Sequence, residues 1–400
     1  MYDFETILDR RGHDALALDA IGGAHAPAAP KDGFSPIPMW VADMCFGTVP
    51  TAIAAMRERL EHPVFGYFSP CAAYAGAIME WQRTQNGVAR LTEEHIGYEN
   101  GVLGGLLSAL GAMCEPGAPV LVHSPTYGGF TRVLADAGYR AIYSPLVKDT
   151  DGVYRMDLAD MEAKIRAEGI RAAIFCSPHN PTGRVWERGE IASAMALFRR
   201  LDVRVVSDEI WSDITLFGHT HIPTQSVSED ARMRTVALYA PSKTFNLAGL
   251  VGSYHIVYDP TLREGMERVA ARSAYNHMNV LSMHALIGAY RPEGRAWLTE
   301  LRQVLGENVR IACDVLGRIE GIALTPPEGT YMLLLDCRPY LAAHGLTMEQ
   351  LLRLGTDVGV LWQDGAVHGA PDHIRINVAL PTALLREALA RLATYVFPEK

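Results

Sequence analysis

Cysteine is scarce and scattered. Cys45, Cys71, Cys114, Cys176, Cys313 and Cys337 are the only six in 400 residues, with no C-x-x-C pair. That argues against a zinc site or a disulfide scaffold and fits reduced thiols in a cytosol. The 14 histidines show no H-E-x-x-H or similar ligand spacing, so metal-dependent chemistry is not expected. Basic runs and low-complexity stretches are missing. A net charge of −9 gives no electrostatic reason to expect nucleic acid or an anionic membrane as partner. No apolar stretch approaches the ~20 residues needed to span a bilayer. The acidic start, Met1-Tyr-Asp-Phe-Glu-Thr-Ile7, lacks the apolar core of a signal peptide. The expectation is a soluble, cytoplasmic protein with no membrane partner.

A chain of 400 residues can bury a large core and is expected to form two domains. Residues 1–47 are irregular and rich in Pro, Gly and Ala, as in Gly22-Gly-Ala-His-Ala-Pro-Ala-Ala-Pro30. They read as an extended arm packing with the smaller domain. From 48 to 290, short apolar strands alternate with helical stretches. Val120–His123, Ala172–Cys176, Val203–Asp208, Thr235–Tyr239 and Ser253–Tyr258 are the clearest strands. That alternation predicts an α/β fold with a mostly parallel sheet and helices on both faces. From 291 to 400, long helical patterns flank a few strands, as expected of a smaller α/β domain. Leu385, Leu389, Leu392 and Val396 form a one-sided apolar stripe.

The most informative residue is Lys243. It sits in Tyr239-Ala-Pro-Ser-Lys-Thr-Phe-Asn-Leu-Ala-Gly249, at the end of a strand and in a Ser/Gly-rich loop. An amine desolvated there loses its proton more easily and can form a Schiff base with an aldehyde. Two upstream segments supply what such a lysine needs. Asn180 follows the Ala172 strand with prolines on both sides, and its amide can donate to a ring oxygen. Asp208 ends the Val203 strand, where a carboxylate can pair with a protonated ring nitrogen. Open α/β sheets bind ligands outside the carboxyl ends of their strands. Together the three residues describe a site for pyridoxal 5′-phosphate.

The order Asn-Pro-x-Gly, Asp, Ser-Lys resembles the fold-type I pyridoxal-phosphate enzymes of the class I/II aminotransferase group. Finer detail resembles their carbon–sulfur β-lyase branch. The carriers are Trp40-Val-Ala-Asp-Met44, Val64-Phe-Gly-Tyr67, Ser177-Pro-His-Asn-Pro-Thr-Gly183, Ser207-Asp-Glu-Ile210, Pro241–Gly249, Pro327-Glu-Gly-Thr-Tyr331 and His373-Ile-Arg-Ile-Asn377. The resemblance implies phosphate seats at the amides of Val102 and Leu103, in Gly101-Val-Leu-Gly-Gly105, and at Ser242. A glycine-led helix start offers free N–H groups and a positive dipole end. It further implies that Tyr127 stacks on the cofactor ring and that Trp211 contacts the cofactor. Arg375 would grip the substrate carboxylate with a bidentate fork, beside Ala42. Tyr67 would reach the phosphate of a neighbouring subunit, which makes a homodimer with shared active sites the expected assembly.

Several positions depart from the pattern. Trp211 stands where many aminotransferases carry a tyrosine, Ala240 replaces a frequent serine, and no arginine follows Gly249. Cys45 and His368 replace an aspartate and a phenylalanine and are expected at the substrate mouth. The implied activity is cleavage of L-cystathionine or S-substituted cysteines to thiol, pyruvate and ammonia, with Lys243 as the base. One alternative is transamination of a small or apolar amino acid by the same residues. A second is a regulatory binding protein on this scaffold, against which the complete set of Lys243, Asp208, Asn180 and Arg375 argues.

Overall fold

A computed structural model describes residues 1–273 and 276–398; the last two residues of the expected smaller domain lie outside them. The apolar strands assemble into one eight-stranded sheet. Its order is Ile96–Glu99, Ser253–Ile256, Thr235–Tyr239, Arg204–Asp208, Ala172–Cys176, Pro119–Ser124, Arg140–Lys148 and Tyr154–Met156. The central pairings, from Thr235–Tyr239 across to Arg140–Lys148, are parallel. Both edges turn antiparallel. Tyr154–Met156 returns as a hairpin, and Ser253–Ile256 follows the Lys243 loop instead of a crossover helix. Parallel strands need a long crossover, and these two edges lack one.

Strand alternation sends side chains to two cores. Val120, Val122, Ile174 and Val206 pack with Leu106, Leu110, Phe130 and Met266 on one face. Leu121, Ala173, Phe175 and Val205 pack with Met161, Ile165, Ile191 and Phe198 on the other. Burial on both faces explains why these strands read as continuous apolar runs.

A second, antiparallel sheet runs Ala323–Leu324, Met332–Asp336, His373–Asn377, Gln363–Asp364. The helices Pro292–Leu316 and Thr382–Arg391 pack on it through Leu301, Leu305, Leu385 and Leu389. Residues of the N-terminal stretch join the same core. Ile37–Pro38 pairs in parallel with Val360–Leu361, Phe4 meets Phe46 and Trp297 with ring centres 5.3 Å apart, and Trp40 Nε1 donates to the Ala17 carbonyl at 3.0 Å. Among the described residues, no helix is long and apolar enough to cross a membrane.

Helices Pro50–Leu60 and Val280–Ala289 pack closely at Gly288. A Cβ built there would lie 2.4 Å from the Thr51 carbonyl oxygen and 2.8 Å from Ala52 Cα. Neither backbone atom can swing aside. Gly288→Ala is therefore expected to destabilise the fold by about 1–3 kcal/mol, read as a lower urea midpoint at unchanged slope. An unshifted midpoint would contradict this packing.

Candidate active site

The carboxyl ends of the central strands open onto a cavity of about 250 Å³. Ala42, Val102, Leu103, Tyr127, Asn180 and Asp208 line it, as do Trp211, Ser242 and Lys243. Residues far apart in sequence converge because most of them lie at or just past the carboxyl ends of these strands or start a helix there, while Ala42 comes from the irregular segment after Ile37–Pro38.

Lys243 follows the strand Thr235–Tyr239. Its Nζ donates to the Ala42 carbonyl at 2.8 Å and stands 5.6 Å from the ring centre of Trp211. The side chain is only half-buried, because it opens onto the cavity. Protein nevertheless surrounds it on the longer scale that governs desolvation. That desolvation, with the positive charge of Arg375, lowers its pKa to about 8, while Asp43 and Asp208 pull it back upward. An amine so tuned is available as a nucleophile and base near neutral pH.

Asp208 is buried and, among the described residues, accepts one hydrogen bond, from Ile210 N at 3.1 Å. Burial raises its pKa to about 7, against the pull of that hydrogen bond and of Lys243. The next residue, Glu209, points away. It accepts from Ser207 Oγ, Thr224 N, His221 and Tyr239 OH. Burial alone would raise its pKa, but these partners hold it below the usual value. Glu209 is saturated, whereas Asp208 keeps acceptor capacity toward the cavity.

The helix Val102–Met113 starts at the cavity wall, and Gly101 before it has φ +85°. That left-handed conformation favours glycine. The first intrahelical bond is Gly105 N to Gly101 O at 3.0 Å, so the amides of Val102 and Leu103 remain free for an anion. Tyr127 precedes the helix Gly128–Asp136. A Cβ on Gly129 would fall 2.3 Å from the Tyr127 ring, so glycine is what lets the ring lie there.

Arg375 is buried on the strand His373–Asn377 of the second sheet. It donates to Asn180 Oδ1 at 3.1 Å and to the Trp40 carbonyl at 3.3 Å. Its Nε has no partner, and no carboxylate pairs with it among the described residues. Burial lowers its pKa to about 10. A desolvated guanidinium with an unused donor fits a carboxylate ligand. With Asn180 Oδ1 engaged, the Asn180 amide nitrogen is left to donate elsewhere. A lone carboxylate, free helix amides, an aromatic wall and a depressed lysine in one cavity fit pyridoxal 5′-phosphate. Among the described residues, no group of three or more His, Cys, Asp or Glu could hold a metal ion.

Tyr67 lies apart from this cluster. It is fully exposed, in a stretch where Val64, Phe65 and Phe68 are exposed too. Two expectations at the mouth are corrected, since neither residue lines the cavity. Cys45 is buried in the core, with Arg10 Nη1 3.7 Å from its sulfur. His368 is buried behind Tyr127, the rings stacked at 6.3 Å. Its Nδ1 accepts from Gly128 N at 3.1 Å and its Nε2 meets Gln363 Oε1 at 3.0 Å. Burial lowers its pKa to about 3, so it is neutral.

Sequence reasoning did not assign three residues that shape the site. Asn377 Nδ2 donates to the carbonyls of Val41 and Asp43. Asn246 Nδ2 holds those of Met44 and Phe46. Tyr331 OH donates to Ala42 O at 3.1 Å. All three stand inside the motifs that carry the family resemblance, which was the available signal.

Comparison with known proteins agrees with this geometry. Residues 37–392 match the model of the aminotransferase class I and II family. The chain is 33% identical over 359 residues to the cystathionine beta-lyase PatB of Bacillus subtilis (strain 168), covering 89% of this chain and 91% of that one. It is 29% identical over 397 residues to the protein MalY of Escherichia coli (strain K12), covering 98% of each. The PLP-bound C-S lyase from Staphylococcus hominis superposes with a TM-score of 0.89 at 30% identity, covering 100% of this chain and 99% of that one.

In ligand-free protein, Lys243 is expected to half-titrate near pH 8 and not near the ordinary lysine value of 10.5. The rate at which it is labelled by an aldehyde and borohydride, read by mass spectrometry, gives that midpoint. Arg375→Gln removes a nearby positive charge and is expected to move the midpoint upward. A wild-type midpoint no lower than the ordinary value would contradict the description of the amine as desolvated.

Proposed function

The chain belongs to the aminotransferase class I and II family, and from that premise we propose that it is a pyridoxal 5′-phosphate-dependent carbon–sulfur β-lyase. Its substrates are L-cystathionine or S-substituted L-cysteines. The observation that carries this reading is that Lys243, Asp208 and Asn180 line one cavity with Arg375 hydrogen-bonded to Asn180 behind it, in a chain whose near-full-length relatives include a cystathionine beta-lyase. In the net reaction, R–S–CH2–CH(NH3+)–COO− and water give R–SH, pyruvate and ammonium.

Bound in the cavity, the cofactor supplies an aldehyde for the lysine and a ring that takes up electron density from the substrate Cα. Asp208 holds a proton on the ring nitrogen, because its carboxylate is the buried acceptor with spare capacity. The Asn180 amide donates to the ring oxygen, and Tyr127 and Trp211 wall the ring. The free amides of Val102 and Leu103, with Ser242, hold the phosphate. Arg375 binds the substrate carboxylate and so aims the Cα–H bond; Ala42 bounds the same space. Lys243, when free, takes the Cα proton on Nζ, for which a pKa near neutrality is suited. The sulfur departs with the electron pair of the Cβ–S bond.

The reading extends to a cytoplasmic homodimer. Its large part is residues 48–290, its small part 291–400, with the arm 1–47 against the latter. The exposed segment with Val64, Phe65, Tyr67 and Phe68 supports a subunit contact through which Tyr67 reaches the partner's phosphate. Apolar side chains clustered on a surface mark such contacts.

Purified protein loaded with cofactor is expected to release pyruvate, ammonium and thiol from L-cystathionine or S-alkyl cysteines. Lys243→Ala should abolish this release. Arg375→Ala should lower kcat/KM by about a hundredfold, the loss of a buried charge-assisted fork being worth roughly 2–5 kcal/mol. The lyase reading falls if no pyruvate forms from any S-substituted cysteine. It gives way to transamination if the amino group passes to a keto acid instead.

A further inference from the structure

Tyr331 is absorbed into the core, and no step above uses it. Its ring is buried in the apolar core and meets Trp211 edge-on, with ring centres 4.6 Å apart. Its hydroxyl donates to the Ala42 carbonyl at 3.1 Å. These are the same two groups that Lys243 contacts. Nζ donates to Ala42 O at 2.8 Å and stands 5.6 Å from the Trp211 ring centre. One tyrosine therefore fixes both the carbonyl and the indole between which the amine rests.

The carbonyl is anchored from other sides as well. Arg10 pairs with Asp43 through both carboxylate oxygens, and Asn377 grips the carbonyls of Val41 and Asp43 on either side of Ala42. Ala42 O itself accepts only from Lys243 and Tyr331 among the described residues. No other side chain among them shares that oxygen with the amine.

We propose that Tyr331 is a positioning residue for Lys243: through the Ala42 carbonyl and the Trp211 ring it holds the amine, whenever that amine carries no covalent partner, in the pose from which it exchanges a proton with the substrate. The proposal rests on the reading of Lys243 as the proton carrier. The geometry is that of a free amine, the state the lysine regains each time a substrate displaces it. A flexible four-carbon side chain would otherwise spread over many rotamers. A carbonyl shared with a second donor, and an aromatic face about 6 Å away or less, confine it. The Tyr331 phenol stays neutral, since burial keeps its pKa far above the ordinary value. It therefore acts as a constant donor and not as an acid or base.

The shared oxygen also bears on the charge of the amine. An ammonium bonds a carbonyl more strongly than an amine does, and a second donor on the same oxygen weakens that preference. Removing the hydroxyl leaves Ala42 O to Lys243 alone and favours the protonated form. The other charges facing Lys243 are Arg375, Asp43 and Asp208, and Tyr331→Phe leaves all three in place.

The test uses the holoenzyme with L-alanine, which has no β leaving group. Exchange of its Cα proton in D2O, followed by NMR, reads the lysine step without elimination. Tyr331→Phe keeps the ring packed on Trp211 and removes only the hydroxyl. The expected result is exchange roughly five- to tenfold slower at saturating alanine, with the half-saturating concentration within about twofold of wild type. In cofactor-free protein, the pH midpoint of Lys243 labelling should rise by about half a unit or more. A purely structural tyrosine predicts no change in either, because the ring is retained. A Tyr331→Phe protein that matches wild type in either readout overturns the proposal. Failure of the lyase reading would appear elsewhere, as wild-type protein that releases no pyruvate. The labelling midpoint, measured without cofactor or substrate, still reports on the tyrosine in that case.

Discussion

The guanidinium of Arg375 is buried, donates to Asn180 Oδ1 and the Trp40 carbonyl, and meets no carboxylate among the described residues. Its positive charge reaches Lys243, whose pKa it helps to lower. An unpaired charge removed from water costs of the order of several kcal/mol. Folding tolerates it here by surrounding it with neutral acceptors that compensate in part. An anionic ligand would fill the remaining deficit. The same positive field keeps the lysine from holding its proton tightly, so in the proposed reaction one buried charge would serve both substrate anchoring and base strength.

One of these two acceptors, the Trp40 carbonyl, belongs to the backbone of residues 39–46, whose other carbonyls serve the neighbouring donors. This segment has no regular structure after Ile37–Pro38, so its carbonyls are not used by a ladder. Met39 O takes Asn377 N, Trp40 O takes Arg375, and Val41 O takes Asn377 Nδ2. Ala42 O takes Lys243 and Tyr331, and Met44 O takes Asn246. Irregular backbone beside a cleft would ordinarily be a burden, since each buried carbonyl needs a donor. Here the donors are the site residues themselves, so satisfying the segment and positioning the site are a single requirement.

How much of this was legible in the sequence depends on which atoms carry the interaction. The strands Ala172–Cys176 and Thr235–Tyr239 were readable to the residue, because burial on both faces leaves unbroken apolar runs ended by turn residues. Lys243, Asn180 and Asp208 stood out because each follows such a run. The antiparallel edges were not readable: strand direction depends on the connection, and apolar content is the same either way. The Ala42 carbonyl left no trace, since a backbone acceptor has no side-chain signature. Cys45 and His368 were misplaced for a related reason. The Cys45 motif borders the cavity through Ala42 and the His368 motif packs behind Tyr127, but side-chain direction in an irregular segment follows packing. Cys45 packs into the apolar core with Arg10 beside its sulfur, and Gly128 N with Gln363 ties His368 behind Tyr127.

Two adjacent carboxylates show how the site divides its donors. Asp208 and Glu209 follow one another at the end of the same strand, and both are buried. Glu209 receives hydrogen bonds from Ser207, Thr224, His221 and Tyr239, which hold it ionised in the interior. Asp208 receives one, and the charge of Glu209 pushes its pKa further up. Had the donors been shared evenly, Asp208 would be a settled anion with little lone-pair capacity left. Concentrating them on Glu209 instead makes that residue a fixed negative charge and leaves Asp208 near its titration point, at about 7. A carboxylate in that condition gains more from a ligand N–H than a saturated one would, because the ligand supplies what the fold withheld. The buried polar network behind the strand is thus what makes the cavity-facing oxygen receptive, although none of its other members touches the cavity.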